Sequence, residues 1–453
     1  MKGTAMIRYL TLASLILLAP ALFAARPEGS VAKKDGNAVA FKSIDAETLS
    51  GIEWKDAARQ SGTRIEIWDV DQVRYTYKGM DQFNSLSKKL LSGRGDVLEK
   101  DAGIYVSDPG KDFEDDDKRR IKLTAMYYVA RGKLLQESAD AATAFLAYLK
   151  ECEAQAKEGA GKAGNPQNFV RGVTFDSPTG NKVAEAGLLH RLYLDALEGL
   201  GESYVRAGSA EEGAKKGYDK LVELTTGMAK KSSKFNYYDW ALRALKAAAA
   251  VAEGSQGERK DVAKRTREVY VKLADVALLR AGGKKSRETI EANLKVGLLM
   301  IEEGNASGAQ GRFSGPIREW ETEQKDYKNP PENNWITADG SFEVAGCYLG
   351  LGMVAASNAK TANEWAGALK YFANSIGMFA GDAEFRGQAL LGAAKACAEM
   401  AKGTKEKDAA ARHATAGEIY LLELRTTLGS TKAAKSSDLP EITKLIDTYK
   451  TSK

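Results

Sequence analysis

The sequence predicts a mainly α-helical chain, an α-solenoid of helix pairs preceded by a small β module. Three observations predict it. Helix-forming Ala, Leu, Lys and Glu are abundant, and 453 residues include only nine prolines. From residue 119 onward, apolar residues recur at helical spacing, and second helices carry a small residue with an aromatic four places later. Residues 37–80 instead alternate β-branched or aromatic residues with polar ones, the period of a half-buried strand. With 43% hydrophobic and 28% charged residues, the chain has the composition of a folded protein and not a disordered one.

The first element is a processing signal. Lys2 and Arg8 supply positive charge, Tyr9 to Leu18 is apolar, and the small residues Ala24 and Ala25 offer a cleavage region, so residues 1–25 read as a signal peptide. The apolar run is shorter than the roughly 20 residues of a membrane-spanning helix. The expectation is therefore export to a bacterial periplasm or the exterior, with no membrane span in the mature chain. A retained anchor is the alternative. Residues 26–36 read as a polar linker, 37–80 as the β module, and 81–118 as a connector containing a short helix near Phe83 to Leu91.

Helical texture fills 119–430. Paired segments fall at 121–135 with 139–154, 189–206 with 210–224, 238–253 with 261–279, 288–303 with 309–320, 342–356 with 362–376, and 388–400 with 409–424. Two stretches rich in Gly, Pro and Asn, 159–182 and 326–340, interrupt the array and read as insertions. Residues 431–453 begin with Ser437-Asp438-Leu439-Pro440, a cap with proline in the first turn, and read as a C-terminal capping helix.

Two of these pairs share a pattern. Leu197, Leu200, Gly201 and Tyr204 precede Ala214 and Tyr218; Val296, Gly297 and Met300 precede Ala309 and Phe313. A small residue on the first helix, then Ala-x-x-x-aromatic on the second, resembles the tetratricopeptide repeat. The small positions 141, 214, 266, 309, 368 and 416 are spaced more widely than the 34 residues of a regular unit, so the resemblance is to a degenerate array in an exported bacterial protein. It implies a scaffold that binds a protein or polymer on a concave face, without catalysis. A structural part of an envelope assembly and an enzyme with its site in an insertion are the alternatives.

The only histidines, His190 and His413, form no His-Glu-x-x-His pattern and read as helix-surface or core residues. The three cysteines, Cys152, Cys347 and Cys397, read as small buried residues, although Cys347 and Cys397 could pair. No serine elbow or phosphate loop is present. The expectation is thus no catalytic residue, no cofactor and no metal. The acidic run Asp112 to Asp117 reads as the solvated approach to a helix whose N-terminus favours carboxylates. A formal charge of +5, two units of it in the leader, gives no reason to expect a nucleic-acid partner. The candidate partner-binding residues are Lys230, Lys231, Lys234, Tyr237 and Arg265, a basic stretch interleaved with aromatics. The competing reading makes the aromatics core.

Overall fold

A computed structural model describes residues 26–55, 61–159, 173–184, 186–231, 236–283, 286–325, 341–378 and 382–450. The signal peptide, Lys234 and the insertion 326–340 lie outside them, as does most of the insertion 159–182. The chain divides into two compact units, one up to Asn236 and one from Tyr237 onward.

Period-two alternation in the first unit produces two antiparallel three-stranded sheets. One has β1 (Gly29–Lys33) between β2 (Ala38–Phe41) and β6 (Val70–Tyr75); the other has β4 (Gly51–Lys55) between β3 (Ser43–Thr48) and β5 (Ser61–Glu66). The stretch 26–36 is therefore not a linker. It carries the central strand of the first sheet, where Val31 faces Val39 on one side and Val73 on the other and is wholly buried. The overlooked signal is Asp35-Gly36: Gly36 has φ +88°, and the Asp35 carboxylate accepts from the Asn37 amide at 2.9 Å. Asp-Gly between strands is a hairpin turn.

The connector 81–118 holds the short helix expected near Phe83 to Leu91 and, beyond it, further packed helices. They are α1 (Leu86–Leu91), α2 (Gly95–Ser107) and the first turn of α3 (Asp115–Leu135). Gly95 and Gly132 let α2 and α3 approach closely: a Cβ on Gly95 would stand 2.7 Å from the Gly132 carbonyl oxygen. Helix packing thus begins well before residue 119. Next come α4 (Ala141–Gly159) and the hairpin β7 (Thr174–Asp176) and β8 (Lys182–Ala184). Helices α5 (Tyr193–Arg206), α6 (Ala210–Gly213) and α7 (Asp219–Lys231) complete the unit. Between α6 and α7, Ala214–Tyr218 widens into a π turn. A Cβ on Gly217 would fall 2.4 Å from the Gly201 Cα, so the two backbones touch there, and the Tyr218 ring covers Gly201.

Among its described residues the second unit holds helices and no strand: α8 (Asn236–Glu253), α9 (Arg259–Arg280), α10 (Arg287–Glu302), α11 (Ala306–Lys325), α12 (Ser341–Asn358), α13 (Ala362–Met378), α14 (Ala383–Gly403), α15 (Lys407–Thr427) and α16 (Leu439–Lys450). From α9 onward, consecutive helices pack on one another. Two aromatic knobs show how. Phe313 of α11 lies between Gly297 of α10 and Gly350 of α12, and an added Cβ at either glycine would come within 2.5 Å of its ring. Phe372 of α13 sits likewise between Gly352 of α12 and Gly392 of α14, at 2.6 Å from each added Cβ. Helix α12 is consequently buried almost all round. The chain is a mainly α stack of helix pairs preceded by small sheets, as its periodicity predicts. The aromatic positions of the recurring pattern differ in depth: Phe145, Phe313 and Phe372 are core, whereas Tyr270 and Tyr420 are half-buried.

Gly350→Val should therefore destabilise the second unit. Overpacking costs about 1–3 kcal/mol, and valine offsets less than about 1 kcal/mol of it through helix propensity. Combining it with Phe313→Leu should cost less than the sum of the two changes, because the smaller side chain vacates the contested space. Thermal unfolding of the single and double variants measures this; strict additivity would refute the knob-between-glycines packing.

Candidate functional site

The basic stretch singled out in the sequence is divided between the two units. Lys230 and Lys231 are exposed at the end of α7 in the first unit, whereas Tyr237 and Arg265 belong to the second. Tyr237 is 1% exposed, so it is core and presents no ring to a partner. Aromatics at helical spacing bury because one face of the helix must. Arg265 closes a loop within its own unit, donating to the Ser255 hydroxyl at 3.2 Å and the Gln256 carbonyl at 3.0 Å. Its neighbours are also engaged: Arg267 pairs with Glu303 at 2.6 Å and Arg259 with Glu302 at 3.3 Å.

The most elaborate side-chain constellation in the described residues is buried instead, where the β module meets the helices of the first unit. Glu47 comes from β3, and its carboxylate is 1% exposed. One oxygen, Oε1, takes the Arg191 Nε–H and lies 3.3 Å from His190 Nε2. His190 and Arg191 belong to the short connection between β8 and α5. On the other side of the ring, Nδ1 is 2.7 Å from the Tyr148 hydroxyl of α4. A backbone bond from the Leu49 amide to the Leu189 carbonyl, 2.7 Å, runs alongside.

A second group extends this seam along α3. Arg120 pairs with Asp117 one turn earlier and donates to the Ile44 carbonyl of β3 at 3.2 Å. Arg26 reaches the same carbonyl at 2.9 Å and lies 3.1 Å from Glu114 and 3.6 Å from Asp117. The acidic run before this helix is thus only partly a solvated approach. Asp117 is 1% exposed, because the helix starts at Asp115 and turns that carboxylate inward onto Arg120. A third buried carboxylate, Glu153 of α4, accepts from Thr179 at 2.5 Å, Asn181 at 2.9 Å and the Tyr193 hydroxyl at 2.7 Å. It pins the β7–β8 hairpin to α4 and α5.

Electrostatics explain why this arrangement persists. Burial by itself would raise the Glu47 carboxyl, but the positive charges beside it, His190 and Arg191 first, outweigh it and hold it at about 2. Burial likewise pushes the His190 ring down, against the pull of Glu47. When the ring is neutral, Arg191 and Arg120 remain as the countercharges to Glu47. Burial also raises the Cys152 thiol and the Tyr148 hydroxyl, which keeps both protonated. Each of these side chains has a partner within the fold, as in a clasp, while Arg120 Nε, His190 Nε2 and Arg191 Nη2 are buried without a hydrogen bond.

Among the described residues no cluster of His, Cys, Asp or Glu could hold a metal, and no helix is long and apolar enough to cross a membrane. All three cysteines are free and buried. A surface depression of about 430 Å³ between α3 and α4 is lined by Lys118, Arg119, Lys122, Glu151 and Glu158. These charges pair across it, Lys122 with Glu151 at 3.1 Å and Arg119 with Glu158 at 3.2 Å. Sequence reasoning missed the clasp. Its one visible signal is His190-Arg191, two polar residues inside the otherwise apolar run Leu188 to Leu194.

No family model matches the chain, and no curated protein matches it. Among solved structures, the crystal structure of NprR in complex with its cognate peptide NprX covers 82% of this chain and 89% of that one, at 12% identity and a TM-score of 0.27. A likeness at that level carries no argument about what this chain binds.

Removing one partner of a buried charge pair leaves the other uncompensated, so Glu47→Ala should cost about 3–5 kcal/mol. Glu47→Leu combined with Arg191→Met should cost less, since no orphaned charge remains. The carboxyl is depressed in the fold, so its contribution is complete above about 4.5 and is lost as pH falls toward about 2. Denaturant titration of the three proteins, repeated at decreasing pH, tests both statements. A loss below about 1 kcal/mol for Glu47→Ala, the size of an exposed pair, would refute the clasp.

Proposed function

We propose that the protein is an exported helical-repeat scaffold that binds a protein partner on the inner face of its helix stack and performs no catalysis. The observation that carries this reading is the packing order of the second unit. The first helices of successive pairs touch one another, α10 with α12, α12 with α14 and α14 with α16. Among the described residues the second helices are not in comparable contact. A layer whose members lie closer together is the inner side of a curved stack. Glu291 on α10 and Lys395 and Lys402 on α14 are exposed along that layer, and Lys295 of α10 is half-buried. Such a row suits a charged, extended ligand. The clasp supports the same reading, because the ionisable groups gathered in the first unit are engaged with one another and closed to solvent.

Export rests on the signal-like residues 1–25. N-terminal sequencing of the protein recovered from the cell envelope or medium should begin at Ala25 or Arg26; recovery only of an intact Met1 would argue against processing. Affinity capture from the same fraction tests the binding face. The pair Lys295→Glu and Lys402→Glu should retain the fold by circular dichroism yet lose a defined partner that the unaltered protein retains. The set Lys231→Glu, Lys234→Glu and Arg265→Glu should keep it. The opposite pattern would move binding to the basic stretch and overturn the inner-face assignment.

A further inference from the structure

We propose that His190 is a pH-sensitive latch: a proton taken up by its ring opens the seam between the β module and the helices of the first unit. The ring stands between two polar partners: Nδ1 lies 2.7 Å from the Tyr148 hydroxyl and Nε2 lies 3.3 Å from Glu47 Oε1. With the ring neutral the buried charges balance. The carboxylates of Glu47 on β3 and Asp117 on α3 face the guanidinium groups of Arg120 on α3 and Arg191 beside the ring. Arg26, partly exposed at the edge, has Asp45 at 3.9 Å and Glu114 at 3.1 Å as partners of its own. The other titratable groups of the seam are the hydroxyl of Tyr148 and the thiol of Cys152 on α4, beside the ring, and the hydroxyls of Tyr127 and Tyr128 on α3 and Tyr75 on β6, which lie near Arg191, Glu47 or Arg120. Burial raises all five, so they stay uncharged.

His190 is thus the group in the seam whose ordinary value lies nearest neutrality. A second proton on the ring adds a positive charge at a site 3% exposed, beside Arg191 and Arg120. Glu47 attracts the new charge, but the oxygen nearest the ring is already shared with Arg191. Separation of β3 from the 186–192 connection hydrates the imidazolium, the carboxylate and the guanidinium together. The direction follows from linkage. Burial pushes the ring below its ordinary value of 6.5, so the closed seam is fully stable above that value and weakens as pH falls below it.

The chain's two histidines give a direct readout, since His413, half-buried on α15, serves as an internal reference. Ring proton resonances are followed from about pH 8 to about pH 5, with His413→Asn assigning them, while hydrogen exchange reports protection factors for amides in 43–55 and 186–192. The latch gives a fall in protection of roughly tenfold per pH unit below about 6.5, levelling at the His190 midpoint, with no change in α14 and α15. His190→Gln, which keeps a donor toward Glu47, should remove the pH dependence. Protection constant from about pH 7.5 to about pH 5.5, or an equal fall in the glutamine variant, overturns the proposal. Should that variant not fold, the unaltered protein decides: a His190 midpoint at or above about 6.5, with no loss of protection tracking it, is equally fatal.

Discussion

A helix pair with one apolar flank is unstable alone, and the fold follows from how each flank is covered by the next helix. Glycine makes the coverage close. Phe313 and Phe372 each fill the space between two glycine-faced helices, and α12, which supplies a glycine to both, is held on either side by the same device. A fully buried phenylalanine contributes roughly 1.5–3 kcal/mol, so a few such knobs stabilise a stack that has no single central core. The first unit uses the same principle with other partners: Phe145 against Gly199, and Tyr218 against Gly201.

Hydrophobic coverage does not explain how the sheets are held to the helices. That junction is polar and buried, with Glu47, Arg191, His190, Arg120 and Asp117 shared between β3, α3 and the connection before α5. Buried ion pairs add little net stability over apolar packing, but they are intolerant of misplacement. A slip of one residue in β3 would turn Glu47 to the opposite face of its sheet. The network therefore specifies register as well as attachment, and it makes the β module part of the first unit and not an appendage to it.

The two regions are suited to different tasks. The helix stack presents an extended layer of first helices whose outward residues are charged and exposed, while the clasp hides its ionisable groups. A titratable ring within that junction gives the assembly a means of responding to its surroundings without a second ligand.

The sequence by itself determined the helical stack, because a 3.6-residue apolar period and the small-then-aromatic spacing are local properties of the chain. It also determined the alternating strands after residue 37. The strand at Gly29–Lys33 escaped notice because its residues are short and its partners, β2 and β6, lie on both sides of it in space. Helix α1 falls within the short helix expected at Phe83 to Leu91, whereas α2 was hidden by glycines that read as breaks yet serve as contact points. Tyr237 carries the same letters whether it faces solvent or core, and only packing placed it inside. The clasp lay furthest from view: Glu47 and Arg191 are 144 residues apart, and their neighbours in sequence resemble any strand and any loop. Charge pairing across such a separation has no period, so only the tertiary structure could decide it.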